Sequence, residues 1–104
     1  MEDTIFAPSS AIGGAIAVIR VSGPDARRAA KLFDRDAAET PRTIRHACLY
    51  ENGELLDDCM TVFFPAPRTY TGEDLFEINC HGGMRTVQRV LGALSGLGFR
   101  PAEP

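Results

Sequence analysis

Apolar positions along this chain fall into two periods, and the switch between them divides it into strands and helices. Thr4 to Ala7 is a short first strand. Pro8 to Gly14 (PSSAIGG) is a loop that ends on the Gly13-Gly14 pair, where the backbone is least restricted. Ala15 to Val21 (AIAVIRV) is β-branched and apolar on both faces, the pattern of a central strand, and one charge, Arg20, interrupts it. Ser22-Gly23-Pro24-Asp25 then predicts a helix start, with Ser22 or Gly23 as cap, Pro24 in the first turn and Asp25 favouring the dipole. That helix runs to about Phe33, with Ala26, Ala29, Ala30 and Phe33 on its apolar face and Arg27, Arg28 and Lys31 facing water.

Asp34 to Arg42 is polar and predicts a loop. Two strand-like runs, Thr43 to Tyr50 and Leu55 to Phe64, flank Glu51-Asn52-Gly53-Glu54, and Asn-Gly at such a place is a strong hairpin signal. In the second arm Met60, Val62 and Phe64 share one face and Cys59, Thr61 and Phe63 the other. Apolar groups on both faces make this strand either central or covered by something outside the domain. Pro65 and Pro67 end it. Leu75 to Cys80 is a further strand, in which Phe76, Ile78 and Cys80 alternate with Leu75, Glu77 and Asn79. His81-Gly82-Gly83 turns into a second helix carrying Met84, Val87, Val90, Leu91 and Leu94 at helical spacing, and Gly96 and Gly98 stop it. Phe99 and Arg100 start a last strand. The order β–β–α–β–β–β–α–β with a tight hairpin predicts one α+β domain with a mainly antiparallel sheet.

Composition narrows the function classes only a little. A length of 104 residues fits one domain, and the 44% hydrophobic and 24% charged content is that of an ordinary globular protein. The net charge of −3 argues against a bulk polyanion-binding surface. Cys48, Cys59 and Cys80 are widely spaced, with no CxxC or HxxxH beside them, so the expectation is three reduced thiols in a cytoplasmic protein and no metal site. The N-terminus MEDTIFAPSS lacks a signal-peptide pattern, and the longest apolar run, Ala15 to Ile19, is too short to span a bilayer. The chain stops at RPAEP, just after a strand start, which predicts a piece of a longer protein.

The candidate chemistry gathers around Arg20 and Glu77, each of which interrupts an apolar strand. A guanidinium taken from water costs several kcal/mol, of order 3–5, unless it is paired. The two side chains either pair with each other or answer a ligand. A carboxylate at the floor of a pocket accepts two parallel hydrogen bonds from a ring N–H and its adjacent amino group, as pterins and guanines present them. His81-Gly82-Gly83 is either an anion-binding helix entry or a tight strand-to-helix turn with His81 as a packing residue; an esterase oxyanion loop is excluded by the lack of any GxSxG. Thr71-Gly72-Glu73-Asp74 is a capped turn or, less specifically, a pair of Mg²⁺ ligands. No GxxxxGK[ST] occurs, which excludes a P-loop within these residues.

Three separated runs, GGAIAVIRVSGP (Gly13 to Pro24), FPAPRTYTGEDLFEINCHGG (Phe64 to Gly83) and the terminal RPAEP, resemble in order and spacing the N-terminal domain of the MnmE/TrmE tRNA-modification GTPases. The family pattern has a Gly-rich loop, R-[ILV]-S-G, FPxPxSYTGED, E-[ILV]-x-x-HGG and RPAxPGEFT. Ser9 to Ile12 replaces a Pro-, Gly- and basic-rich segment, Thr69 replaces a frequent Ser, and the chain stops before Gly-Glu-Phe-Thr. The resemblance implies the folate-binding fold of aminomethyltransferases, a bound reduced folate such as 5-formyltetrahydrofolate, and a homodimer. It places folate contacts on Arg20 and Glu77 and no catalytic residue in this chain; the Gly13-Gly14 loop and His81 are weaker candidates for ligand contact. It also implies a missing GTPase domain with its own GTP, potassium and magnesium. An FAD- and NADH-using partner protein would act with it on C5 of wobble uridine in tRNA. Two alternatives stand beside this expectation: a purely structural dimerisation module, and a stand-alone aminomethyltransferase-like folate enzyme.

Overall fold

The computed structural model describes residues 4–8, 16–33, 37–51, 53–81 and 83–102. Its elements follow the predicted order: β1 (Ile5–Pro8), β2 (Ile16–Ser22), α1 (Ala26–Phe33), a short 3₁₀ turn (Ala37–Glu39), β3 (Arg45–Glu51), β4 (Glu54–Phe64), β5 (Leu75–His81), α2 (Met84–Gly96) and β6 (Arg100–Pro101). The six strands form one sheet in the order β3-β4-β5-β2-β1-β6. Every ladder is antiparallel except β1–β6, which is parallel. The α+β expectation with a mainly antiparallel sheet is therefore what the chain adopts.

Period-two alternation sorts the strands into two faces. Ala17, Ile19 and Val21 of β2, Phe76, Ile78 and Cys80 of β5, and Cys59 and Phe63 of β4 form one core with Ala26, Ala29, Ala30 and Phe33 of α1 and Val87, Val90 and Leu94 of α2. Both helices thus cover the same side of the sheet. The three alanines of α1 let its backbone come close to the strands, and Phe33 reaches over to Phe76 with ring centroids 6.4 Å apart. Burying one such aromatic side chain contributes about 1.5–3 kcal/mol. Among the described residues the opposite face has no helix, and it carries Arg20, Glu77, Asn79, Met60 and Ile16.

Local chemistry modifies several predicted boundaries. The helix after Gly23 begins at Ala26 rather than Pro24. Ser22 does not cap it, because its hydroxyl is engaged with Thr71 and Glu73. The Ala26 N–H instead goes to the Gly23 carbonyl, and the Asp25 N–H is accepted by Thr4 Oγ1 at 2.9 Å. Ala37 is buried, so the polar stretch after α1 contains one ordered turn rather than only loop. Arg27 and Arg28 are exposed as expected but are not merely solvated. The Arg27 guanidinium lies 4.8 Å from the Phe63 ring centroid, and Arg28 donates to the Leu97 carbonyl at 3.1 Å.

The hairpin between β3 and β4 forms where Asn-Gly stands, with Gly53 at φ 82°, the left-handed region that the turn requires. Asn52 itself lies outside the described residues. Gly98, at φ 89°, ends α2, and its N–H is accepted by the Ser95 carbonyl at 3.0 Å.

Candidate binding site on the open face

Arg20 and Glu77 are direct partners across the β2–β5 ladder. Odd and even positions of the two strands are in phase, so both side chains leave the sheet on the face without helices. Arg20 Nε donates to Glu77 Oε2 at 3.1 Å. Glu77 Oε1 also accepts from Asn79 Nδ2 at 3.4 Å. Both alternatives drawn from the sequence are therefore relevant: the residues pair, and the pair lies at a cavity.

That cavity, of about 560 Å³, is bounded by Arg20 and Glu77 on the strands, by Phe64 and Leu75 at the strand ends, and by Arg42, Arg68, Thr69 and Tyr70. The last three come from the loop between β4 and β5. Tyr70 is 85% exposed, and the Arg20 guanidinium stands 5.1 Å from its ring centroid. Tyr70 therefore forms a wall held by cation–π contact and not a core residue. A smaller cavity of about 240 Å³ adjoins, sharing Arg20, Tyr70 and Leu75 and completed by Ile5, Phe6, Ala7, Ser22, Thr71 and Ala102.

The β4–β5 loop is fixed from three sides. Ser22 Oγ and Thr71 Oγ1 are 2.7 Å apart, and Ser22 Oγ also donates to Glu73 Oε1 at 3.2 Å. Thr69 Oγ1 donates to the Glu73 carbonyl at 2.7 Å, and Asp74 Oδ1 accepts the Ala66 N–H at 2.9 Å. Arg42 secures the other flank: Nη2 donates to the Arg68 carbonyl at 2.8 Å and more weakly to that of Pro65 at 3.4 Å. Its own N–H reaches the Phe63 carbonyl at 2.8 Å. Glu73 and Asp74 are thus loop braces with separate partners. The Thr71 hydroxyl also accepts the Glu73 N–H, at 3.3 Å, as a capped turn would.

Not every candidate meets at this cavity. His81 ends β5 on the same face but four residues beyond Glu77, roughly 13 Å along the strand, and lines a different cavity with His46, Asp58 and Met60. Gly13 and Gly14 lie outside the described residues. Sequence reasoning missed Arg42 and, within the motif-rich run Phe64 to Gly83, did not single out Phe64, Arg68 or Tyr70 as contacts. Arg68 and Tyr70 carried a faint signal as the charged and aromatic residues between Pro67 and the Thr71-Gly72 turn. Arg42 carried none, because its place depends on a left-handed backbone at φ 61°.

The described lining of the cavity offers groups suited to binding. Three guanidinium side chains and one carboxylate surround it, with an aromatic wall at its edge. Planar guanidinium groups match carboxylates bidentately, and the Glu77 carboxylate matches a ring N–H beside an amino group. No thiol or imidazole belongs to its described lining.

The family model described as the GTP-binding protein TrmE N-terminus matches residues 4–104. A protein of Thermotoga petrophila named tRNA modification GTPase MnmE is 41% identical over 98% of this chain and 23% of its own length. Proteins of the same name from Phenylobacterium zucineum and Opitutus terrae are 42% and 45% identical over 100% of the chain and 24% and 23% of theirs. The chain therefore spans about a quarter of the length of the curated relatives it matches. With the match running from the first strand through the last, the chain belongs to the family of MnmE/TrmE N-terminal domains.

Proposed function

We propose that this chain is the reduced-folate-binding and homodimerisation domain of a GTPase that modifies C5 of wobble uridine in tRNA. One observation carries the binding half: the Arg20–Glu77 pair at the floor of a cavity rimmed by Arg42 and Arg68. The residues fit such a ligand. Glu77 accepts the paired N–H groups of a pterin ring, Arg20 faces a ring carbonyl, and Arg42 and Arg68 face a carboxylate tail. When bound, a folate such as 5-formyltetrahydrofolate supplies a one-carbon unit.

The role of these side chains is positioning. They hold the ring against the strands and orient its exposed edge toward the cavity mouth, where an FAD-dependent partner protein and tRNA would meet it. GTP, potassium and magnesium belong to a GTPase domain outside these residues, and the setting is cytoplasmic. No helix among the described residues is long and apolar enough to cross a membrane.

The dimerisation half rests on the far end of the open face, where Ile16 and Met60 are 53% and 42% exposed. A two-fold interface would use this patch on both copies. The same observation also favours the second reading, a purely structural dimerisation module. A stand-alone aminomethyltransferase-like enzyme is disfavoured, because Glu73 and Asp74 are turned into the loop and offer no acid above a bound one-carbon group.

Titrating 5-formyltetrahydrofolate into the full chain by calorimetry tests the binding half. Saturable binding that Glu77→Ala weakens by about tenfold or more is expected, the scale of a lost charge-assisted hydrogen bond. Absence of heat at millimolar ligand, or unchanged affinity in Glu77→Ala, would sink the site. Sedimentation of Met60→Asp tests the dimer: a concentration-dependent dimer that this variant dissociates is expected, and a monomer throughout contradicts it.

A further inference from the structure

The hairpin of β3 and β4 brings a second set of reactive side chains together, away from Arg20 and Glu77. His46 and Cys48 are two apart on β3 and share a face, while Asp58 pairs in register with Cys48 from β4. One ligand atom from each lies within 4.8 Å of the others. His46 Nε2 is 3.6 Å from Asp58 Oδ1, and Cys48 Sγ is 3.4 Å from the same oxygen. Around a tetrahedral ion with bonds of about 2.0–2.3 Å, adjacent ligand atoms stand roughly 3.3–3.7 Å apart. The two separations to Asp58 fall in that range, and His46 and Cys48 lie within 4.8 Å of each other, so closing on an ion asks the imidazole and the thiol to approach one another.

We propose that His46, Cys48 and Asp58 form a surface site for one divalent ion of the Zn²⁺ class, with the fourth position open. The donor set decides the class. Imidazole and thiolate with one carboxylate suit a borderline-soft ion, whereas calcium and magnesium take oxygen ligands. The open position adjoins the cavity of about 300 Å³ lined by His46, Asp58, Met60, Asn79 and His81. On the strands, Asp58 and His81 each lie two residues beyond the Met60–Asn79 pair, which sets the second imidazole on the β5 side of Asp58. The sequence spacing hides this arrangement. His-x-Cys alone is no ligand motif, and its third member comes from across a hairpin.

His46 and Asp58 side chains are 61% and 58% exposed in the single chain and stand outside the hydrophobic core, so the fold would be independent of the ion. That separates binding from folding in the test. Cobalt(II) is the probe, added to the untagged full chain under a phosphine reductant. One equivalent should produce thiolate-to-cobalt charge-transfer absorption with the visible bands of tetrahedral cobalt, and zinc should bleach both. Cys48→Ser should abolish the charge-transfer band. His46→Ala and Asp58→Asn should weaken zinc by about tenfold or more in competition titrations, with circular dichroism and thermal midpoint of the metal-free protein unchanged. A missing charge-transfer band in the parent chain, or one that persists in Cys48→Ser, overturns the proposal.

Discussion

Arg20 and Glu77 bond through Nε and Oε2, not through the terminal guanidinium nitrogens, across a ladder in which they are direct partners. The side chain of Arg20 is 39% exposed, so this is a half-solvated pair and its Coulombic gain is screened. Arg20→Ala should accordingly change unfolding stability by about 1 kcal/mol or less. Affinity for 5-formyltetrahydrofolate should fall by about tenfold or more. Urea unfolding beside calorimetric titration separates the two effects; a large stability loss with unchanged affinity would make the pair purely structural.

Arg42 is the brace that a sequence reader would overlook. Its guanidinium holds the Arg68 carbonyl, while its backbone sits at φ 61°, a conformation costing a non-glycine residue about 1–2 kcal/mol. Arg42→Ala keeps that cost and loses the side-chain bonds, and should destabilise by about 1–2 kcal/mol. Arg42→Gly loses the same bonds but relaxes the backbone, so it should be at least as stable as the alanine variant in chemical denaturation. The reverse order would show that the backbone is not strained there.

Ser22 joins the end of β2 to the β4–β5 loop, and it is 5% exposed. Removing its hydroxyl leaves Thr71 and Glu73 without that partner. Ser22→Ala should cost about 1–2 kcal/mol, and a double-mutant cycle with Thr71→Val should give a coupling of about 0.5 kcal/mol or more. Additive costs in the cycle would deny the link. Because the loop carries Arg68 and Tyr70, ligand affinity should fall with Ser22→Ala although Ser22 is not on the larger cavity's lining.

Phe76 is fully buried between the sheet and α1, against Phe33. Phe76→Ala should cost about 3–5 kcal/mol, much of the stability of a small domain, and the thermal midpoint should drop or the cooperative transition vanish. A loss below 1 kcal/mol would contradict the packing described.

Much of the architecture was legible along the chain because it depends on local periods. The β-branched run around Val18 and Ile19, the Gly53 turn and the spacing of Val87, Val90 and Leu94 each declare their element without knowledge of neighbours. The two interrupting charges, Arg20 and Glu77, were legible for the same reason, since a charge in an apolar strand must be answered. Strand order was not. That β2 inserts between β5 and β1 depends on how the finished faces pack, and this adjacency decides which loop closes over Arg20. Ser22 shows the limit most clearly: as a sequence it is a helix cap, and as a structure its hydroxyl serves a loop some fifty residues away. Arg42 and the His46–Cys48–Asp58 group were hidden by the same kind of long-range assembly.

The parallel pairing of β1 with β6 has a consequence for how the chain is made. Ile5 takes its place beside Arg100 and Phe6 beside Pro101, the most distant strand partners among the described residues. During synthesis, one side of β1 must wait for its partner while β2 to β5 and α2 emerge from the ribosome. An unpaired strand edge is a template for the wrong partner, so the interval before residue 100 appears is when a nascent chain of this kind would most depend on a chaperone.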